Sequence, residues 1–264
     1  MKYTYEELAK MIDHSLLHPT MTDQELEDGC KVAAQYGVAS VCIKPYAVKR
    51  AAELLKGSGV LVGAVIGFPH GNSATESKRY ETELACRDGA VEIDMVINIG
   101  KALSGDWDYV ARDVKAVSDE AHKHGAKVKV IFENDYLSQG GAGLNSDDFK
   151  KKLCQLCERA GADWVKTSSG YGFVKQPDGS YNYKGATEHD LALMRASVSS
   201  KVQVKAAGGV RDLDGLIKVR ELGGTRCGAT ATAAMLDEYR RREAAEKAGQ
   251  KAEGKGGGIG SGGY

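Results

Sequence analysis

Short apolar runs alternate with amphipathic segments along most of the chain. Apolar runs bounded by turn residues are typical of buried strands, and apolar positions three or four residues apart are typical of helices that pack on a sheet. The strands predicted on this basis are Met11–Ser15, Ala39–Ile43, Leu61–Ile66, Val91–Ile97, Lys127–Phe132, Asp163–Thr167, Val202–Ala206 and Thr225–Cys227. The helices predicted between them include Asp23–Tyr36, Ala47–Leu55, Glu76–Asp88, Val110–His124, Asp147–Ala160, Glu188–Ala196 and Leu213–Leu222.

The regular alternation predicts an α/β fold with parallel strands and crossover helices. A glycine followed by alanine or valine precedes several strands and marks the end of the preceding helix. These pairs are Gly37-Val38, Gly89-Ala90, Gly125-Ala126 and Gly161-Ala162. Eight units favour a closed (β/α)8 TIM barrel in a single domain, because the first and last strands can then pair and leave no exposed edge. An open doubly wound sheet is the alternative.

Composition argues against several classes of partner, although it leaves room for a local basic pocket. The 264 residues include 36 basic and 36 acidic side chains, so no net charge attracts the chain to nucleic acid or to an anionic membrane. The longest apolar runs fall short of the roughly 20 residues that a membrane span needs. The polar opening, residues 1–7, lacks the apolar core of a signal peptide, and we expect a cytoplasmic protein.

The chain divides into two parts by composition. Residues 1–240 carry the alternating pattern and are predicted to form the barrel domain. Residues 241–264 are predicted to be a flexible tail, because their glycine-rich end cannot bury enough apolar surface to pack.

Charges alternate with apolar residues inside the central strands. In Val91–Val96, Glu92 and Asp94 share one face, and Lys127 and Lys129 repeat the pattern in the next strand. The apolar faces must meet the helices, so the charged faces point into the barrel, where they must compensate one another or reach water. Glu92 and Lys127 lie at strand starts and are expected to be solvated at the lower rim.

Two lysines stand at the ends of apolar runs that open into small, glycine-rich turns. These are Lys166 and Lys205. If their strands are neighbours, each ammonium raises the free energy of protonating the other, and one lysine can remain a neutral amine that attacks carbonyls. Asp94 also lies near the C-terminal end of its strand, the end at which barrels of this kind place their chemistry. The sequence therefore predicts a Schiff-base enzyme.

Cysteines and histidines do not favour a metal site. Cys154 and Cys157 form a C-x-x-C within a helical segment, without a second pair or trailing histidines, and are interpreted as packed core thiols. His14, His18 and His70 are candidate zinc ligands, but they lie on separate early loops without ligand spacing. We expect neither a metal nor another cofactor.

Seven motifs occur in order from about Met11 to Met235. They are IDHSLLHPTMT at 12–22, VCIKP at 41–45, GFPHG at 67–71, EIDMVINIG at 92–100, KVIFEN at 129–134, VKTSSGYG at 165–172 and VKAAGGVR at 204–211. This set resembles the 2-deoxy-D-ribose-5-phosphate aldolase family of class I aldolases. The resemblance implies a TIM barrel that reversibly cleaves 2-deoxyribose 5-phosphate to acetaldehyde and glyceraldehyde 3-phosphate without a metal. It also implies a phosphorylated sugar and a short aldehyde as partners, and a homodimer.

The resemblance also implies roles for particular residues. Lys166 matches the Schiff-base lysine, Lys205 the second lysine beside it, and Asp94 the carboxylate that relays protons. Asp13 and Lys129 are expected to hold these groups in place without taking part in the reaction.

A phosphate site is expected after the last three barrel strands. Bare backbone amides at Gly170, Gly208, Gly209 and Gly228 can approach phosphate oxygens, and Thr230 can add a hydroxyl.

The chain departs from the family pattern at two places. Ala231 stands where the family has a small hydroxylated residue, so only its backbone amide can contact phosphate. Phe173–Lys184 reads as an insertion that lengthens the loop after the sixth strand.

Tyr264, at the end of the tail, either folds over the barrel mouth to assist proton transfer or ends a disordered segment. Two other functions stay open: another Schiff-base sugar-phosphate aldolase or transaldolase, and a non-catalytic barrel scaffold.

Overall fold

Parallel strands close into a barrel at the centre of the molecule. The computed structural model describes residues 1–249, 254 and 259. In this part of the chain the strands are β1 (Ile12–Leu16), β2 (Ser40–Ile43), β3 (Leu61–Ile66), β4 (Glu92–Val96), β5 (Lys127–Ile131), β6 (Trp164–Lys166), β7 (Val174–Lys175), β8 (Tyr181–Asn182), β9 (Gln203–Ala207) and β10 (Arg226–Ala229). All except β7 and β8 belong to the barrel, in the order β1-β10-β9-β6-β5-β4-β3-β2. Pairing of β1 with β10 closes the sheet, which confirms the TIM barrel and excludes the open doubly wound sheet.

Helices cover the outside of the barrel. They are α1 (Tyr5–Ala9), α2 (Asp23–Tyr36), α3 (Val48–Leu54), α4 (Thr75–Arg87), α5 (Ile99–Leu103), α6 (Trp107–Lys123), α7 (Ser146–Arg159), α8 (Glu188–Ser197), α9 (Leu213–Glu221) and α10 (Thr232–Lys247). The helices predicted between the strands are confirmed to within a few residues at their ends, whereas α1, α5 and α10 were not predicted. Among the described residues, no helix is long and apolar enough to cross a bilayer.

Alternate residues of β4 face opposite sides of the sheet. Ile93 and Met95 are fully buried in the core between the barrel and the helices. Glu92 and Asp94 project inward, and Asp94 is the register partner of Lys129 on β5. The period-2 pattern of the sequence therefore places charge inside the barrel, as predicted.

The prediction that Glu92 is solvated at the lower rim is wrong. Only 3% of its surface is exposed, because Arg226 of β10 and Lys129 of β5 both form ion pairs with its carboxylate. Lys127 is exposed at the start of β5, as expected.

Trp164 forms a floor across the lower part of the barrel. Its side chain is 5% exposed, and three cations surround its ring: Lys127 at 5.5 Å, Lys129 at 5.6 Å and Arg226 at 5.5 Å from the ring centroid. The face of an indole ring attracts cations. The floor therefore combines apolar bulk with a layer of positive charge directly below the interior carboxylates.

Helix α10 continues past the domain boundary expected at residue 240, so the expected start of the tail at 241 falls inside this helix. Tyr239 is buried and donates a hydrogen bond of 3.0 Å to the carbonyl of Tyr3. Arg242 pairs with Asp214 at the start of α9 and is only 8% exposed. These contacts tie the helix to the barrel. Tyr264 lies outside the described residues.

The segment Phe173–Lys184, read from the sequence as an insertion, contains the β7–β8 hairpin. Its strands are antiparallel, with Val174 opposite Asn182 and Lys175 opposite Tyr181. Because it follows β6, the hairpin lies on the same side of the barrel as the C-terminal strand ends.

Candidate active site

Lys166 and Lys205 lie side by side inside the barrel. Lys166 is the last residue of β6, and its register partner on β9 is Lys205. Both side chains are almost fully buried, and both nitrogens lie 2.7 Å from the same oxygen, Oδ2 of Asp94. Three residues predicted from separate strands therefore meet at one point.

The Lys166 amine is shifted toward its neutral form. Burial lowers its pKa from the usual value, and the positive charge of Lys205 lowers it further, although Asp94 acts in the opposite direction. The sequence-based argument attributed this shift to the neighbouring lysine alone. Loss of hydration in the closed barrel is the larger cause.

Lys205 is held in its charged form by two carboxylates. Its nitrogen lies 2.5 Å from Asp13 Oδ2 and 2.7 Å from Asp94 Oδ2. Burial disfavours the charge, but the two acids outweigh it and hold the pKa of Lys205 well above the usual value. The two lysines thus differ because Lys205 contacts two acids and Lys166 only one.

Lys129 joins the acids beneath the lysine pair. Its nitrogen lies 2.5 Å from Glu92, 3.0 Å from Asp94 and 3.3 Å from Asp13. Asp13 also forms an ion pair with Arg226. The supporting positions expected for Asp13 and Lys129 agree with these contacts.

The charges of this buried network balance when Lys166 is neutral. Among the described residues it contains three carboxylates and three cations besides Lys166: Asp13, Glu92, Asp94, Lys129, Lys205 and Arg226. A proton on Lys166 would add an uncompensated charge in a region of low dielectric constant, which is costly. The network as a whole therefore favours the reactive amine.

Apolar side chains form a small cluster at the mouth of the barrel. Leu17, Cys42 and Val65 are buried there, with Phe68 and Tyr171 packed against them. The rings of Phe68 and Tyr171 meet edge to face with their centroids 5.5 Å apart. The Cys42 sulfur lies 3.8 Å from Asp94, so this apolar wall reaches down to the charged network.

Glu133 supports the loop that follows Lys166, and sequence analysis gave it no role. It occupies a left-handed conformation after β5, with φ of 59°. Its carboxyl accepts hydrogen bonds from the backbone N–H of Ser169, at 3.2 and 3.3 Å, and from the Ser169 hydroxyl. Burial raises the pKa of Glu133 to about 7, against the opposing effect of these bonds. The sequence feature that could have indicated a role for Glu133 is its position as an acidic residue directly after a buried strand.

A cavity of about 250 Å³ opens beside the ends of β9 and β10. Its lining includes four residues predicted to bind phosphate: Gly208, Gly209, Gly228 and Thr230. Gly208 and Gly209 have φ of 78° and 76°, a backbone conformation that glycine adopts without strain. Gly170, also predicted, does not line this cavity. Arg211 does, although it was quoted from the sequence only as part of a motif.

Ala231 lines the same cavity next to Thr230. The hydroxyl of the following residue, Thr232, does not replace the missing side chain, because it is buried and lies 2.8 Å from Nδ1 of His14. Burial lowers the pKa of His14 to about 4. Because alanine lacks a hydroxyl, Ala231 can contact a ligand in this cavity through its backbone but not through a polar side-chain group.

The cysteine and histidine side chains do not form a metal site among the described residues. Cys154 and Cys157 are buried in α7, as the sequence predicted. In the part of the chain that the structure describes, histidine, cysteine and carboxylate side chains do not gather into a group of three or more able to hold a metal ion.

Known proteins share the fold of this chain and much of its sequence. A family model described as DeoC/LacD family aldolase matches residues 8–230. The deoxyribose-phosphate aldolase of Rhodopirellula baltica is 49% identical over 91% of this chain and 92% of its own length. A solved aldolase designated QR15 superposes with a TM-score of 0.79 at 33% identity, over 90% of this chain and 98% of its own. The deoxyribose phosphate aldolase of Aeropyrum pernix, described as a tetramer, gives a TM-score of 0.76 at 28% identity, over 90% and 92%. The chain therefore belongs to the DeoC/LacD family of aldolases.

Proposed function

We propose that this chain is a class I aldolase that reversibly cleaves 2-deoxy-D-ribose 5-phosphate to D-glyceraldehyde 3-phosphate and acetaldehyde. The observation that carries the proposal is the buried Lys166 nitrogen, which lies 2.7 Å from Asp94 in a network whose charges balance only when that amine is neutral. The activity named for the 49% identical relative supports the choice of substrate.

The reaction begins at Lys166. Its neutral nitrogen adds to the C1 aldehyde of the open-chain sugar, and the resulting carbinolamine loses water to give a protonated imine. Asp94 moves the protons that this dehydration requires, since its carboxylate contacts the reacting nitrogen. The product of this stage is a covalent adduct on Lys166.

Cleavage follows with the imine as the electron sink. Asp94, acting through a water molecule, takes the proton from the C3 hydroxyl, and the electrons of the C2–C3 bond move into the iminium group. Glyceraldehyde 3-phosphate leaves, and an enamine stays on Lys166. Protonation of the enamine carbon and hydrolysis of the imine then release acetaldehyde and restore the free amine.

The phosphate of the sugar occupies the cavity lined by Gly208, Gly209, Gly228 and Thr230. Backbone amides that approach without an intervening Cβ hold phosphate oxygens well. Anchoring the phosphate there fixes the sugar relative to Lys166, which lowers the entropic cost of bringing the aldehyde and the amine together. A contribution from Gly170 stays a prediction.

Reductive trapping tests the proposal. Acetaldehyde and borohydride are added together, the imine is reduced to an N-ethyl amine, and the modified peptide is located by mass spectrometry. We expect a single dominant adduct on Lys166, none at that position in Lys166→Met, and retro-aldol release of acetaldehyde from 2-deoxyribose 5-phosphate by the unmodified protein. Absence of any lysine adduct would defeat the Schiff-base mechanism and leave the non-catalytic barrel.

The donor substrate separates this aldolase from other Schiff-base enzymes. Acetaldehyde and a ketone donor such as dihydroxyacetone are compared as nucleophiles toward glyceraldehyde 3-phosphate. Condensation with acetaldehyde supports the proposal, and condensation only with the ketone would assign the chain to another sugar-phosphate aldolase or to a transaldolase.

Three expectations from the sequence stay predictions. The homodimer is tested by light scattering of the purified chain, and the cytoplasmic location by fractionation of cells that express it. Participation of Tyr264 is tested by removing that residue and measuring proton exchange at the methyl group of acetaldehyde. Unchanged exchange would rule it out.

A further inference from the structure

The β7–β8 hairpin has no part in the chemistry described above, yet it is fixed at both ends. On one side, the Tyr136 hydroxyl accepts a hydrogen bond of 2.9 Å from the Phe173 N–H and donates one of 3.0 Å to the Phe173 carbonyl. On the other, the Asp135 carboxylate accepts bonds of 2.6 and 3.0 Å from the N–H groups of Lys184 and Gly185. The loop after β5 therefore holds both ends of the hairpin.

The end of the hairpin packs directly on the loop that lines the phosphate cavity. The Ala186 N–H donates hydrogen bonds of 3.0 Å to the Ala207 carbonyl and 3.1 Å to the Gly208 carbonyl. A Cβ added at Gly185 would lie 2.7 Å from the carbonyl carbon of Gly208, and Gly185 has φ of 76°. The two backbones are thus in contact with no room for a side chain between them.

Tyr183 lies between this contact and the body of the hairpin. It lines the cavity of about 250 Å³ together with Gly208, Gly228 and Thr230. Its ring carbon Cε2 would be 3.5 Å from a Cβ at Gly208. Tyr183 also lines a neighbouring cavity of about 420 Å³ that contains Asn134. Tyr183 therefore borders both cavities.

We propose that Tyr183 is a specificity-determining residue, the outer wall of the phosphate cavity, and that it gives the enzyme its preference for a phosphorylated over an unphosphorylated sugar. This inference rests on the proposed function. The ring carries no charge that repels phosphate, and it excludes water from one side of the cavity. Hydrogen bonds from the glycine amides to the phosphate are stronger where water is excluded, because the local dielectric constant is lower.

The test compares Tyr183→Ala with Tyr181→Ala. Tyr181 lies on β8, two residues before Tyr183, and is 58% exposed, so its removal controls for general loosening of the hairpin. We expect Tyr183→Ala to raise KM for 2-deoxyribose 5-phosphate about tenfold, with kcat nearly unchanged and with kcat/KM for unphosphorylated 2-deoxyribose unchanged. Tyr181→Ala leaves all three values unchanged. Equal losses for both sugars, or equal effects of the two variants, would overturn the assignment.

Two further variants keep the proposal testable. Tyr183→Phe keeps the ring and is expected to behave as the unmodified enzyme, and a loss equal to that of the alanine variant would overturn the role of the ring. If Tyr183→Ala does not fold, Tyr183→Leu, which keeps a smaller apolar group, takes its place with the same expectation.

Binding of inorganic phosphate, measured by calorimetry, separates this inference from the proposed function. We expect weaker binding to Tyr183→Ala than to Tyr181→Ala. This difference is measurable even if the unmodified chain fails to cleave 2-deoxyribose 5-phosphate, an outcome that would defeat the proposed function. Equal phosphate binding by an enzyme that does cleave the sugar would overturn only the role of Tyr183.

Discussion

Lys166 and Lys205 are register partners on neighbouring strands, and both nitrogens approach the same carboxylate oxygen. Their burial is nearly equal, so burial alone does not separate their protonation states. Their protonation states differ because Lys205 also contacts a second acid, Asp13. One lysine is therefore suited to act as a nucleophile and the other as a fixed positive charge.

Removing the charge of Lys205 should move the reactivity of Lys166 to higher pH. Lys205 lowers the pKa of Lys166, and its loss also leaves Asp94 with a stronger hold on the Lys166 proton. In Lys205→Met, the rise of N-ethyl adduct at Lys166 with pH should therefore occur at higher pH than in the unmodified chain. Borohydride trapping across a pH series measures it.

Lys78→Met is the matched control for this shift. Lys78 is also fully buried and pairs with an acid, Asp113, at 2.6 Å, but outside the network of the two active-site lysines. We expect the control to lose stability without moving the pH dependence of the adduct. An unchanged profile in Lys205→Met would contradict the electrostatic coupling.

Asp94→Asn should abolish most of the activity while leaving the barrel folded. The carboxylate touches both lysine nitrogens, and general acid–base groups contribute about 10²–10⁴-fold to rates. We expect a loss of kcat in this range for cleavage of 2-deoxyribose 5-phosphate. Asp113→Asn, a buried acid with a lysine partner elsewhere, should lower stability and keep kcat. Similar losses of kcat in the two variants would argue against a direct role for Asp94.

Glu133 should make stability depend on pH. Its folded pKa of about 7 exceeds the usual value of 4.5, so the unfolded chain releases this proton first as pH rises. The contribution of Glu133 is therefore present below about pH 4.5 and is lost as pH rises through 7, a change of about 3 kcal/mol. Urea unfolding at pH 5 and 7.5 should show a larger decrease for the unmodified chain than for Glu133→Gln. Equal decreases would show that Glu133 titrates normally.

A hydroxyl at position 231 should improve phosphate binding. Ala231 lines the cavity but offers no side-chain donor. We expect Ala231→Ser to lower KM for 2-deoxyribose 5-phosphate about threefold to tenfold, since a hydrogen bond to a charged group contributes about 1.5 kcal/mol or somewhat less when partly solvated. Ala234→Ser, on the exposed side of α10, is the control and should leave KM unchanged. A KM that stays constant in both would place the phosphate away from residue 231.

The sequence predicted the barrel and the meeting of Asp94, Lys166 and Lys205, because strand alternation fixes which residues point inward and parallel strands end on one side. It did not predict Arg226, since the last strand is too short to show an alternating pattern. Together with Lys129, Arg226 also explains why Glu92 is buried instead of solvated.

Other parts of the site depend on contacts between segments far apart in the chain. The position of Tyr183 depends on hydrogen bonds from Asp135 and on packing of Gly185 against Gly208, which no local pattern indicates. The position of Gly170 outside the cavity lined by Gly208, Gly209, Gly228 and Thr230 likewise depends on the path of the loop after β6. The local sequence indicated the candidate reacting groups, whereas the side chains that surround them could be located only in the structure.

The tryptophan floor bears on the route by which water and the sugar reach Lys166. Trp164 and its three cations lie in the lower part of the barrel, and Asp13 and Asp94 have no exposed surface. We therefore expect the water that splits the imine to enter through the same opening as the sugar.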